Sequence, residues 1–323
     1  MIARLTAGLG AHHDVRAGIG DDAAIVSLEP GREVVLTVDG QVEGSHFLRD
    51  ITPPEAVGHR ALATNLSDLA AMGARPRWAL VALTLPADVP LDWIDAAFSA
   101  IRALAARFDA AIVGGNIARG SAIVIDVTAV GDVPAAHSLR RSAGTAGETV
   151  LVTGYPGRSA AYLDLVLKED ASAKIDSSAR QAHLFPEPRV NFGRALLERG
   201  LARCAIDISD GLTADLGHVL AASEVGATLE ESALPIDDET RRIASCLGSS
   251  ALEYVLTGGE AYELLVSAHP GRVDEIIAVG AALGLPVHPI GYLHAEPGLR
   301  LREGATLRTL APRGHDHFRR SAS

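Results

Sequence analysis

Carboxylates placed at the ends of apolar runs constrain this chain more than any other feature. Gly18-Ile19-Gly20-Asp21-Asp22 leads into the apolar residues 23–26, Asp39 follows Val34-Val35-Leu36-Thr37-Val38, and Asp68 ends Asn65-Leu66-Ser67-Asp68. Asp207 and Asp210 lie in Ile206-Asp207-Ile208-Ser209-Asp210-Gly211. Adjacent carboxylates repel, so a fold that holds them beside apolar segments provides a cation, a shared proton or open water. Hard oxygen ligands in this number suit Mg²⁺. Any one of these acids alone serves equally well as a turn former or helix cap.

The chain has 323 residues, enough for two domains, and 48% of them are hydrophobic, ample for buried cores. A net charge of -11 argues against a nucleic-acid-binding surface, which needs basic patches. An acidic protein that handles phosphates must then bring metal ions. Cys204 and Cys246 form neither a disulfide framework nor a zinc-ligand spacing. The N-terminus lacks an apolar core of signal-peptide length, and no run is long enough to span a bilayer. These features lead us to expect a cytoplasmic protein with no membrane partner.

Residues 24–28 and 33–38 flank Pro30-Gly31 and predict a hairpin or close strand pair. Thr52-Pro53-Pro54 opens a helix over 55–72 that ends at Gly73. The apolar run 78–85 predicts a central strand, 91–108 a second helix, 110–116 a strand running into a Gly114-Gly115 turn, and 122–130 another strand. A boundary falls in 131–147, giving domains 1–137 and 138–323. In the second domain, strands are expected at 148–153, 205–208, 262–267 and 287–293, and helices at 159–168, 190–199, 212–223 and 272–283. Residues 169–188 read as irregular.

Several signatures are absent. The only lysines, Lys168 and Lys174, do not sit beside glycine, so a P-loop is excluded. There is no dinucleotide fingerprint after Gly18-Ile19-Gly20, no His-Glu-x-x-His and no Gly-x-Ser-x-Gly. Acids on strand ends together with glycine turns are the equipment of metal-assisted phosphoryl transfer.

The order of Gly18-Ile19-Gly20-Asp21-Asp22-Ala23, Gly44-Ser45-His46-Phe47, residues 63–74, Arg141-Ser142, residues 206–212, Gly258-Gly259-Glu260 and Gly314-His315-Asp316-His317-Phe318 resembles the thiamine-monophosphate kinase family. That family belongs to the superfamily of aminoimidazole ribonucleotide synthetase. The resemblance covers nearly the whole chain. It implies a two-domain α/β (α+β) fold, with an N-terminal mixed sheet that dimerises and a C-terminal α/β domain. ATP would lie in a cleft at the domain interface with several Mg²⁺ ions on its phosphates, and a phosphate-bearing small molecule would be the acceptor.

On that resemblance Asp22, Thr37, Asp39, Asp68, Asp207 and Asp210 are metal ligands, while Gly115, Asn116, Arg141 and Ser209 bind nucleotide. His46, Glu260 and His315 contact substrate, and no residue is a covalent nucleophile. The chain departs from the family pattern at five positions. Val38 and Gly40 stand where the family has threonine on either side of Asp39, and Asn116 stands where it has aspartate. Ala261 replaces an acid, and His315 replaces an aromatic. Besides the kinase, a paralogue that phosphorylates another acceptor and an inactive nucleotide-binding dimer fit this pattern.

Overall fold

The computed structural model describes residues 1–7, 9, 12–20, 22–168 and 177–314. They fall into two units, Met1–Leu69 with Ala74–His137, and Ala70–Gly73 with Ser138–Ser323.

The first unit runs α1 (Ile2–Leu5), β1 (Val15–Ala17), β2 (Ile25–Val26), β3 (Arg32–Val42), α2 (Pro54–Ala71), β4 (Arg75–Leu85), α3 (Leu91–Arg107), β5 (Ala111–Arg119) and β6 (Val124–Pro134). Its main sheet has the order β3-β6-β4-β5. β4 and β5 are parallel, and the other pairs are antiparallel. Leu83 and Leu85 of β4 and Ile125 of β6 pack against Ile94, Ala97, Phe98 and Ile101 of α3. Leu62, Leu66 and Leu69 of α2 are also buried, each contributing roughly 1.5–3 kcal/mol through removal of apolar surface from water. The alternate residues of β3 turn the other way: Leu36 is 68% and Val38 67% exposed, as is Leu80 of β4 at 42%.

The expected hairpin around Pro30-Gly31 does not form. β2 is two residues long and pairs with β1, whereas β3 pairs along its whole length with β6. A long apolar partner offers eleven residues of ladder, which the short segment before Pro30 cannot match. Gly114-Gly115 is likewise no turn but the middle of β5. A Cβ on Gly115 would lie 1.9 Å from the Val81 carbonyl oxygen, so glycine is there to let β5 approach β4.

The second unit contains β7 (Thr149–Thr153), α4 (Gly157–Leu167), α5 (Ser178–Leu184), α6 (Val190–Glu198), β8 (Cys204–Asp207), α7 (Leu212–Ser223) and β9 (Gly226–Glu230). It continues with α8 (Asp238–Leu247), α9 (Ala251–Thr257), β10 (Leu264–Ala268), α10 (Val273–Ala282), β11 (Val287–His294), β12 (Gly298–Glu303) and β13 (Thr306–Leu310). Its sheet order is β13-β12-β9-β11-β7-β10-β8, and the β9–β12 pair alone is parallel. Val150, Val152, Ile206, Leu212, Leu216, Val219 and Leu265 share one buried cluster that fixes α7 against the sheet.

The stretch expected to be irregular contains α5, capped by Ser177, whose side chain accepts from the Arg180 amide. Residues 169–176 lie outside the described residues.

Candidate functional site

In the first unit, β3 and α2 bring an oxygen-rich set together. The Thr37 hydroxyl donates to Asp68 Oδ2 at 2.5 Å. Asp39, two residues along on the same face of the strand, accepts the Gly40 amide at 2.7 Å through Oδ1. Asn65, one turn before Asp68, donates to the Asp39 carbonyl at 3.3 Å and so ties strand to helix. All donors here are hard oxygens, and Thr37, Asp39 and Asp68 are half-buried, so the set fits Mg²⁺.

The remaining first-unit candidates lie elsewhere. Asp22 is exposed in the bend before β2, and its neighbour Asp21 is outside the described residues. His46 accepts the Val42 amide at 3.1 Å, closing the turn after β3. Gly115 and Asn116 are exposed on β5, at the opposite edge of the sheet from β3. Three strand spacings separate these edges, about 14 Å, so Asp39 and Asn116 of one chain do not reach the same cation.

In the second unit, Asp207 ends β8 and is buried, and Ser209-Asp210-Gly211 turns the chain into α7. This turn is laced by main-chain bonds to the segment 260–263. Glu260 N donates to Ser209 O at 2.7 Å, Tyr262 N to Ile208 O at 2.8 Å and Ile208 N to Glu263 O at 2.8 Å. Phosphate-side and substrate-side candidates of this unit therefore share one scaffold. Glu260 and Tyr262 hold φ values of 57° and 51°, a backbone region that non-glycine residues occupy chiefly where surrounding structure over-determines it. Arg141 is exposed in the short turn before β7. His315 lies outside the described residues.

Several residues of this site are not legible from the sequence pattern. Asp215, buried in the first turn of α7, accepts the amides of Asp210 at 3.1 Å and Gly211 at 3.0 Å. Burial pushes its carboxyl up to about 7, helped by the charge of Asp210 and opposed by those amides. His218 lies one turn further along the helix, a spacing that could have flagged it. One donor atom each of Asp210, Asp215 and His218 lie within 4.8 Å of one another. His183 is buried, with Nδ1 3.0 Å from Ser159 Oγ and 3.6 Å from Glu260 Oε2. Glu263 is clamped by Arg189 at 2.6 and 2.7 Å and by the Thr153 hydroxyl at 2.5 Å, which anchors the loop that carries Glu260.

A further trio, His12, His13 and Asp14, also has donor atoms close together. It makes no metal site, because Asp14 is already taken up by Arg77 at 2.6 and 2.9 Å, Trp78 at 3.1 Å and His12.

Two acid-bearing α/β units with this element order define a class. Residues 20–133 match the AIR synthase related protein N-terminal domain, and residues 145–303 match the AIR synthase related protein C-terminal domain. Within it, the chain is 40% identical over 313 residues to thiamine-monophosphate kinase of Salmonella typhimurium, covering 94% of this chain and 93% of that protein. The crystal structure of thiamine-monophosphate kinase from Stenotrophomonas maltophilia K279a superposes with a TM-score of 0.83 at 36% identity, over 93% of each chain. A structure of AaThiL complexed with AMPPCP and TMP superposes with a TM-score of 0.80 at 32% identity, over 93% of this chain and 92% of that one. The chain belongs to the thiamine-monophosphate kinase family of AIR synthase related proteins.

Proposed function

We propose that this chain transfers the γ-phosphoryl group of ATP to the phosphate of thiamine monophosphate, releasing thiamine diphosphate and ADP. The observation that carries this reading is the full-length likeness to a kinase structure complexed with AMPPCP and TMP. A different acceptor and an inactive dimer, the other two readings of the sequence, draw no support from that likeness.

An oxygen of the acceptor phosphate forms the new bond to the γ-phosphorus, and the bond from that phosphorus to the β–γ bridging oxygen breaks. The acceptor is already anionic and nucleophilic, so neither a covalent intermediate nor a catalytic lysine is needed. Bound Mg²⁺ would neutralise the phosphate charges so that two anions can approach. In the first unit Asp22, Thr37, Asp39 and Asp68 are candidate Mg²⁺ ligands, and in the second unit Asp207 and Asp210 are. In the second unit Arg141 and Ser209 are candidates for holding the nucleotide, the Arg141 guanidinium giving a charge-assisted contact, and in the first unit Gly115 and Asn116 are. In the second unit Glu260 is a candidate for holding the acceptor, with His183 beside it orienting its carboxylate, and in the first unit His46 is a candidate for the same role. Catalysis is then positioning and electrostatic stabilisation.

The apolar outer face of the first unit's sheet, with Leu36, Val38 and Leu80 exposed, supports a homodimer that pairs through that face. No helix among the described residues is long and apolar enough to cross a membrane, and we place the protein in the cytoplasm.

Purified chain given ATP, Mg²⁺ and thiamine monophosphate is expected to yield ADP and thiamine diphosphate in equal amounts. Turnover of another phosphorylated or amide acceptor, with none of thiamine monophosphate, would overturn the reading. Asp39→Ala and Asp207→Ala should each abolish product.

A further inference from the structure

We infer that the segment 311–314, which follows β13, is a brace for the Ser209-Asp210-Gly211 turn, and that Thr213 is the positioning residue that locks it there. The inference rests on the kinase reading, in which Ser209 and Asp210 are candidates for nucleotide and Mg²⁺, and adds to that site a group of residues that act through the turn.

Two glycines show that the segment is seated on α7. β13 ends at Leu310, and Pro312 has no N–H with which to continue a ladder, so the chain leaves the sheet. Glycine is a poor residue for a helix interior, yet Gly217 stands in the second turn of α7. A Cβ there would lie 2.9 Å from Pro312 Cβ, so the missing side chain is the seat of the proline ring. At the end of the segment, a Cβ on Gly314 would lie 2.4 Å from the Asp210 carbonyl oxygen and 2.7 Å from Ala214 Cβ. Bare backbone therefore packs directly on the peptide that follows Asp210. Asp210, Ala214 and Gly217 are spaced four and three apart, the interval that sets residues along one side of a helix.

Thr213 fastens the segment between these two contacts. It is buried, and its hydroxyl lies 2.8 Å from the Arg313 carbonyl oxygen and 2.9 Å from that of Leu256, with one proton to share between them. The same hydroxyl accepts the Arg313 amide at 3.3 Å. One side chain thus joins α7, the last turn of α9 and the brace. Asp215 holds the N–H end of the peptide between Asp210 and Gly211, and Gly314 packs against its C=O end, so this peptide plane is fixed from both ends. The Asp210 side chain follows the plane, and contacts of this outer kind set how tightly a carboxylate holds a cation.

The test uses the full chain and two readouts: AMPPCP affinity in the presence of Mg²⁺ by calorimetry, and hydrogen exchange at the Asp210 and Gly211 amides without nucleotide. Thr213→Val keeps the shape and loses the hydroxyl, while Gly314→Ala wedges the segment off Asp210. Each is expected to weaken AMPPCP binding about tenfold and to speed exchange at both amides. Thr213→Ser is expected to return both readouts to near wild type. Val279→Ala, which removes buried methyl groups from α10 in the same unit, is expected to lower the melting temperature and leave both readouts as they are. Unchanged affinity or unchanged exchange in both Thr213→Val and Gly314→Ala, no recovery in Thr213→Ser, or an equal loss in Val279→Ala would overturn the proposal. Failure of the kinase reading is seen in the wild type instead, as absent AMPPCP binding or absent thiamine diphosphate, and the exchange measurement then still decides whether the brace holds the turn.

Discussion

The Thr37 hydroxyl lies 2.5 Å from Asp68 Oδ2, joining the middle of a strand to the last turn of the helix packed on it. A hydrogen bond to a charged group contributes about 1.5–3 kcal/mol and here also fixes the direction in which the carboxylate points. Thr37→Val keeps the shape and loses the donor. We expect it to raise the Mg²⁺ concentration needed for half-maximal activity about tenfold or more, while Thr37→Ser stays near wild type. Magnesium titrations of initial rate check this.

Asp14 should govern the acid stability of the first unit. Burial alone would raise its carboxyl, but His12, Arg77 and Trp78 donate to it and hold it down to about 2. Because the folded value lies below the ordinary 3.8, the stabilisation is complete above that value and is lost as pH falls through about 2. Asp14→Asn leaves buried Arg77 without its closest carboxylate and is expected to cost about 3–5 kcal/mol at neutral pH. Its stability should also change less than wild type's between about pH 4 and pH 2. Urea unfolding across that range measures both effects.

On the proposed function, Asp215 acts by positioning the turn whose amides it accepts rather than by touching the reacting groups. Asp215→Ala strands the buried amides that it accepts, at a cost of about 1–3 kcal/mol, and should loosen the Ser209-Asp210-Gly211 turn. The expected signature is a raised KM for ATP. Asp215→Asn, which keeps a carbonyl acceptor, is expected to recover most of that loss in steady-state assays.

Gly115→Ala should destabilise the first unit whatever its role in nucleotide binding. Its Cβ would meet the Val81 carbonyl oxygen, backbone that cannot move aside without opening the β4–β5 ladder. Overpacking of this kind costs about 1–3 kcal/mol, read as a lowered melting temperature without nucleotide.

Helices were legible in the sequence: α2, α3 and α7 lie close to where their patterns place them, α3 because the stripe that makes its pattern is the stripe that is buried, and α2 although it is buried almost all round. Strand partners were not. Nothing in residues 33–38 says that they pair with a strand ninety residues later rather than with their neighbour across Pro30-Gly31. Register is a property of two strands, and the chain reports each separately. Asp207, Ser209 and Asp210 were legible as a motif. Asp215 and His183 were not, since one buried acid or histidine looks like any other until its partners are seen.

The lacing of Ile208 and Ser209 to 260–263 uses main chain alone, so it survives any change of side chain that keeps the backbone path. Ala261 sits within that lacing and packs against the unit's apolar core. Replacement of an acid at this position thus leaves the phosphate-side turn in register. Variation at 261 that keeps the backbone path therefore leaves the Ser209-Asp210-Gly211 turn where it is.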